Sequence, residues 1–212
     1  KVFGENVGVV RERLGAALAR LHPVEADMVI PVPDSGNFAA IGYANESGIP
    51  IRAGFTRNHY IGRTFISPIQ AKRSFKVRIK LSPVREVLEG KRVIVVDDSI
   101  VRGNTSKSRV RALRDAGAKE VHLRVSCPPH ISPCYYGIDF PDKKELIAAN
   151  QSIEDIRKFL EVDSLGYLTV EAMLECVKVH PQSSYCVSCF TDKHPLAPRG
   201  GFDKFSLERN RI

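Results

Sequence analysis

A mostly parallel, doubly wound α/β sheet with flanking helices is the fold this sequence predicts, on three observations. Strand-like and helix-like patterns alternate from residue 7 to residue 126, as right-handed βαβ crossovers require. The run Arg92-Val93-Ile94-Val95-Val96-Asp97 is continuous and β-branched, the pattern of a strand buried on both faces. Turn and cap residues, Pro33, Gly48 and Gly117, fall between these patterns.

The elements follow in order. Val7, Val10, Leu14, Leu18 and Leu21 form a helical stripe over residues 7–21, ended by His22-Pro23. Residues 28–33 are a short apolar run, a buried strand that stops at Pro33. Asp34-Ser35-Gly36 turns the chain into an Ala-rich helix over 38–46, which ends near Gly48. Residues 51–55 read as a second short strand. From 60 to 85 the chain is charged and irregular, except for the alternation at 76–81, which predicts an edge strand beside a long mobile loop. After the central strand come a helix over 105–116, capped by Gly117, and a strand over 120–126. Beyond Cys127-Pro128-Pro129 the pattern shortens to helices at 154–160 and 169–177, and 199–212 is polar and peripheral. These observations divide the chain into a core over 1–150 and a C-terminal hood with a cysteine segment over 151–212.

At 212 residues the chain suffices for one large domain, or one domain with an appendage, and 43% hydrophobic with 26% charged residues is ordinary for a globular protein. No apolar run approaches the ~20 residues that span a bilayer, so a membrane role is not expected. The start, Lys1-Val2-Phe3-Gly4-Glu5-Asn6, holds neither an initiator Met nor an apolar signal core, and reads as part of a longer protein. Five cysteines, an odd number without a secretory signal, argue for a reduced interior rather than a disulfide framework. The formal charge is +8, and no Asp or Glu occurs from Ser47 to Arg85. That stretch carries Arg52, Arg57, Arg63, Lys72, Arg73, Lys76, Arg78, Lys80 and Arg85. A solvated basic face, a nucleic-acid surface and a site for a small polyanion all fit, and charge alone does not choose among them.

The most informative stretch is Asp97-Asp98-Ser99-Ile100-Val101-Arg102-Gly103-Asn104-Thr105-Ser106. Open α/β sheets bind ligands beyond the carboxyl ends of their strands, where Asp97 and Asp98 fall. The loop then enters a helix, whose free N–H groups and positive dipole end suit a phosphate. Ser99, Thr105 and Ser106 add hydroxyls, and Gly103 permits a tight turn around an anion. Two acids beside a phosphate site make sense if the ligand also carries sugar hydroxyls, or if the acids help hold Mg²⁺. A simple strand-to-helix turn capped by Asp and Ser is the plainer alternative. No Gly-Lys-Thr/Ser closes the stretch, which excludes a P-loop.

This pattern resembles the type I phosphoribosyltransferases. Three motifs in order make the resemblance closer: Pro31-Val32-Pro33-Asp34-Ser35-Gly36, then Asn58-His59-Tyr60-Ile61-Gly62-Arg63-Thr64-Phe65-Ile66, then Asp97 to Gly103. Together they are similar to the amidophosphoribosyltransferase family, over residues 7–195. The resemblance implies a type I phosphoribosyltransferase fold. It also implies displacement of pyrophosphate from phosphoribosyl pyrophosphate by glutamine-derived ammonia, which yields 5-phosphoribosylamine in the first committed step of purine synthesis.

Residue roles follow from the same resemblance. Asp34, Ser35 and Gly36 match the pyrophosphate-binding turn. Asp97 and Asp98 match the acids that hold the ribose hydroxyls and, with Ser35, the Mg²⁺. Ser99, Ile100, Val101, Arg102, Gly103, Asn104, Thr105 and Ser106 match the 5′-phosphate loop. Residues 57–85 match a mobile loop that closes over substrate, with Arg63, Lys80 and Arg85 as phosphate or pyrophosphate contacts, and Arg63 and Lys80 join the two acids as catalytic candidates. The family also implies a glutaminase domain absent from this chain, a homotetramer, and residence in bacterial cytoplasm or plastid stroma.

Cys186-Val187-Ser188-Cys189 is a C-x-x-C pair that, alone, fits zinc, a cluster, a redox pair or no ligand. With Cys134 it matches three ligands of the 4Fe–4S cluster in one branch of the family. Such clusters take four thiolates, and the family's fourth lies upstream of Lys1. Cys176 sits in an apolar stripe and reads as core. A nucleobase salvage transferase and a non-catalytic, DNA-binding sensor of the same sugar are the alternatives. Against the latter, the sequence has no helix-turn-helix or winged-helix signature, so no specific nucleic-acid partner is expected.

Overall fold

The computed structural model describes residues 1–58, 81–138 and 142–196. Helix α1 (Val7–Leu21) opens on Asn6, whose side chain accepts hydrogen bonds from the N–H groups of Gly8 and Val9. Strand β1 (Met28–Pro31) leads to α2 (Asn37–Ser47), which stops at Gly48 in the left-handed conformation. Strands β2 (Phe55–Arg57) and β3 (Leu81–Pro83) form an antiparallel ribbon. The short α3 (Arg85–Leu88) precedes β4 (Arg92–Asp97), α4 (Asn104–Asp115) and β5 (Glu120–Val125). Then come α5 (Ile147–Asn150), α6 (Ile153–Leu160), β6 (Ser164–Tyr167), α7 (Val170–Glu175) and α8 (Ser188–Thr191).

The main sheet has the order β1-β4-β5-β6, and every pairing in it is parallel. Its register sets Met28 beside Val93, Val93 beside Val121, and His122 beside Ser164. Because side chains alternate along a strand, β4 feeds two cores. Val93 and Val95 join Ile30, Val110, Leu113, Leu123, Ile156 and Leu160 under α4 and α6. Ile94 and Val96 join Leu18, Val29, Ala39, Ala40, Tyr43 and Leu168 under α1 and α2. A strand with this double duty must be apolar at every position, which is why the run at 93–96 reads so clearly.

Three differences from the sequence-based expectation have physical reasons, and one expectation lies almost wholly outside the described residues. Residues 51–55 do not form a strand. The Val29 N–H donates to the Pro50 carbonyl and the Arg52 N–H to the Val29 carbonyl, but residues 51–53 are exposed, and with nothing to bury the chain leaves the sheet edge after a single bridge. The strand begins at Phe55 instead, whose ring is buried in the ribbon. The edge strand expected at 76–81 lies outside the described residues except for Leu81, the first residue of β3. β6 was not expected, because four residues including Gly166 carry little strand signal; its partner β5 supplies the ladder. The helix expected over 169–177 is shorter, at Val170–Glu175, with Thr169 as its cap.

Candidate active site

The carboxyl ends of β1 and β4 lie side by side, and the N–H of Val32 bonds the carbonyl of Val96 just past the end of β1. The turn Asp34-Ser35-Gly36 follows at once. Gly36 is buried, and a Cβ there would stand 2.4 Å from the Val96 carbonyl oxygen, so only glycine lets the turn lie this close to β4. Asp34 is exposed and its carboxylate is ion-paired with Arg57, at the end of β2. Ser35 is half-buried between them.

Beyond β4 the two acids part company. Asp97 is 2% exposed and turned inward. One of its carboxylate oxygens accepts a 2.7 Å hydrogen bond from the Arg109 guanidinium, and the other accepts the Asp98 backbone N–H at 2.9 Å. Burial pushes its carboxyl up to about 7, with Arg109 pulling it down and Asp98 pushing it further up. Asp98 is half-exposed at the mouth of the loop.

Ile100 is buried and anchors the loop from below, while Ser99 and Val101 are half-buried. The Val101 carbonyl accepts the Ile147 N–H from α5, and Arg102, which is exposed, pairs with Glu145 at 2.8 Å. Gly103 has φ +78°, and a Cβ there would meet Ile147 and Phe159 at 2.9 and 3.0 Å. It leads directly into α4, and no side chain caps that helix. The first turn, Asn104, Thr105 and Ser106, therefore offers N–H groups and the positive end of a 12-residue dipole to an anion.

Arg85 is not brought to this loop. It is held at the opposite end of α4 by the Asp115 carbonyl, where it lines a cavity of about 380 Å³ with Leu81, Pro83 and Ser108. Arg63 and Lys80 lie outside the described residues, as does most of the second sequence motif. Arg109 was missed altogether. The only signal was its place beside the buried stripe Ser106, Val110 and Leu113, where an arginine demands a partner.

The cysteine segments meet. The Ile131 and Ser132 N–H groups both donate to the Cys189 carbonyl, and the His130 ring packs on Phe190 at 4.8 Å. Burial pushes the Cys189 thiol up to about 11, with the neighbouring Cys134 and Cys186 adding to the rise, so the three cysteines sense one another. The Ser188 hydroxyl lowers Cys186, which is exposed. All five cysteines are free thiols. Among the described residues, no group of three His, Cys, Asp or Glu side chains is arranged to hold a single metal ion. Cys127 is pushed up by burial beside Asp98 and Asp97, and Cys176 is in the core as expected. Among the described residues, no helix is long and apolar enough to cross a membrane.

Comparison with known proteins agrees with this fold. The family model for the phosphoribosyl transferase domain matches residues 16–148. The amidophosphoribosyltransferase of Methanocaldococcus jannaschii is 56% identical over 194 residues, which cover 92% of this chain and 41% of that protein. The chloroplastic amidophosphoribosyltransferase of Glycine max is 53% identical over 197 residues, 93% of this chain and 34% of that protein. A solved structure of glutamine phosphoribosylpyrophosphate amidotransferase from B. subtilis, complexed with ADP and GMP, superposes with a TM-score of 0.81 at 51% identity. It covers 91% of this chain and 43% of that one. The chain thus spans well under half the length of these relatives. A buried central strand that ends in two acids, a glycine-turned loop and an open helix start is the type I phosphoribosyltransferase arrangement, and the chain belongs to the phosphoribosyl transferase domain family.

Proposed function

We propose that this chain is the phosphoribosyl-transferring part of an amidophosphoribosyltransferase, in which ammonia displaces pyrophosphate from C1 of phosphoribosyl pyrophosphate. The observation that carries the reading is the uncapped start of α4, set by Gly103 at the end of the short loop that begins at Asp98. It offers phosphate-binding N–H groups and a sugar-binding carboxylate within one short loop. The lone pair of ammonia forms the new bond to C1, the C1–O bond to pyrophosphate breaks, and the incoming nitrogen sheds a proton. Asp98 accepts hydrogen bonds from the ribose hydroxyls, residues 99–106 hold the 5′-phosphate, and the turn at 34–36 receives the leaving pyrophosphate. No protein nucleophile is needed.

Asp98 and Ser35 are hard oxygen donors, half-exposed beyond the ends of neighbouring strands, and fit Mg²⁺ in kind. Mg²⁺, when bound, neutralises charge on the pyrophosphate. Asp97, engaged with Arg109, fits a ligand role less well. Cys134, Cys186 and Cys189 are soft donors near one another and fit an iron–sulfur cluster in kind, supplying three of the four thiolates. Such a cluster would brace the segment around Cys189 and take no part in the transfer. The remaining parts of the proposal are a glutaminase domain elsewhere in the protein, a homotetramer, a 1–150 core with a 151–212 hood, and a cytoplasmic or plastid setting.

The test is pyrophosphate release from phosphoribosyl pyrophosphate with Mg²⁺ and ammonium chloride, beside an Asp98→Asn variant. Ammonia-dependent release that the variant loses supports the reading. Release that requires a nucleobase instead of ammonia would make the chain a salvage transferase. Neither release nor substrate binding would overturn the proposal.

A further inference from the structure

The phosphate loop is braced from outside by one short segment. The 3-10 turn Lys143–Glu145 runs into α5, and the two together reach three consecutive loop residues. The Glu145 carboxylate accepts a hydrogen bond from Arg102 Nε at 2.8 Å, and the Ile147 N–H donates to the Val101 carbonyl at 2.9 Å. Ile147 also lies against Gly103, its Cδ1 2.9 Å from where a Cβ would stand. The segment is itself fixed. Asn150 Nδ2 lies 3.2, 3.1 and 2.8 Å from the carbonyl oxygens of Lys143, Lys144 and Leu146, and Lys143 pairs with Asp192.

These contacts give the loop a direction. A peptide is planar and trans, so its carbonyl and its N–H point opposite ways. With the Val101 carbonyl turned to α5, the Arg102 N–H is turned away from it. The side chains of Arg102 and Glu145 are 47% and 43% exposed, so their pairing adds little to global stability. It adds order instead, because Gly103 by itself would leave this backbone many conformations.

We infer that Glu145 is a positioning residue for phosphoribosyl transfer. Through Arg102 it holds residues 101–103 in the form that presents their N–H groups to the 5′-phosphate, before the sugar arrives. This inference rests on the proposed function. A loop ordered in advance loses less entropy on binding, so affinity rises for the group it holds.

The experiment compares Glu145→Ala, Glu145→Gln, Arg102→Met and the double variant Glu145→Ala/Arg102→Met in the full-length protein. Ammonia-dependent pyrophosphate release gives kcat and KM for phosphoribosyl pyrophosphate. Ribose 5-phosphate and inorganic pyrophosphate, as competing inhibitors, report the two ends of the site separately. Glu145→Ala should raise KM and the inhibition constant of ribose 5-phosphate together, roughly 3- to 10-fold, and leave that of pyrophosphate unchanged. Glu145→Gln keeps an acceptor oxygen and should recover most of the loss. In the double variant, Glu145→Ala should add nothing to Arg102→Met. A merely structural glutamate lowers the folded fraction, which lowers apparent kcat and moves neither inhibition constant. An unchanged constant for ribose 5-phosphate, equal shifts for both inhibitors, or effects that multiply in the double variant overturn the inference alone. If Glu145→Ala does not fold, Arg102→Met breaks the same pair from the loop side and decides on the same constants. A wild-type protein that releases no pyrophosphate overturns the proposed function and this inference with it.

Discussion

The phosphate loop and the cysteine segments are both candidate sites, and they are built by opposite means. From Arg92 to Asp115 the chain is strand, six-residue loop and helix, with β4 paired on both sides and α4 packed through Val110 and Leu113. Residues 127–138 and 181–196 hold one 3-10 turn and the four-residue α8 among the described residues. What joins those two segments is individual contacts: two N–H groups on the Cys189 carbonyl, Ser132 on His194 at 3.1 Å, and His130 on Phe190. The first region is specified by periodicity and burial, which act over many residues at once. The second depends on a handful of side chains that meet only after the sheet has formed.

That contrast predicts different sensitivities. The largest effect should come from Gly103→Val. It forces a β-branched residue to positive φ and drives a side chain into Ile147 and Phe159, for a cost of about 4 kcal/mol from backbone strain and overpacking. Chemical denaturation measures it, and a loss below 1 kcal/mol would mean that the loop tolerates another path. The same variant should lose phosphate binding.

Next is the pH response of the cysteine region. Burial lowers His130 to about 4, with the Asp98 charge opposing it. A base depressed in the folded state stabilises fully above its ordinary value of ~6.5, and that contribution is lost as pH falls toward 4. The wild type should therefore lose up to about 3 kcal/mol relative to His130→Phe between those limits. The raised carboxyl of Asp97 works with the opposite sign, since a buried acid gains stability as pH falls. Only the difference between the two proteins isolates the histidine. Parallel stability profiles would show that His130 carries no such linkage.

Ser132 is 1% exposed and bonds His194. Ser132→Ala should cost about 1 kcal/mol and loosen residues 186–194, which faster amide exchange at Phe190 would report. Unchanged exchange would show that the backbone bonds to Cys189 suffice. The smallest effect is expected for Cys186→Ser. Cys186 is exposed, and in protein free of the proposed cluster its change should stay within about 0.5 kcal/mol of wild type by thermal melting. A larger loss would mean that this thiol is bound to something in the folded protein.

The sequence by itself determined the alternating α/β plan, the central strand at 92–97, both long helices and the glycine-turned loop between that strand and the helix after it. Each is encoded locally: a β-branched run, a stripe at helical spacing, a glycine where φ is positive. Recognition of three motifs added the family and the meeting of the cysteines. Tertiary structure alone decided the rest. β6 exists because β5 offers a free edge, and residues 51–53 fail as a strand because nothing buries them. Two adjacent acids, alike in sequence, became a buried ion-paired Asp97 and a half-exposed Asp98 because consecutive side chains leave a strand end in different directions. Arg85 and Arg109, both plain basic residues on paper, ended respectively at the far end of α4 and half-buried against the Asp97 carboxylate. A charge declares its role only through the partner it meets, and the packing of α4 on the sheet chose that partner.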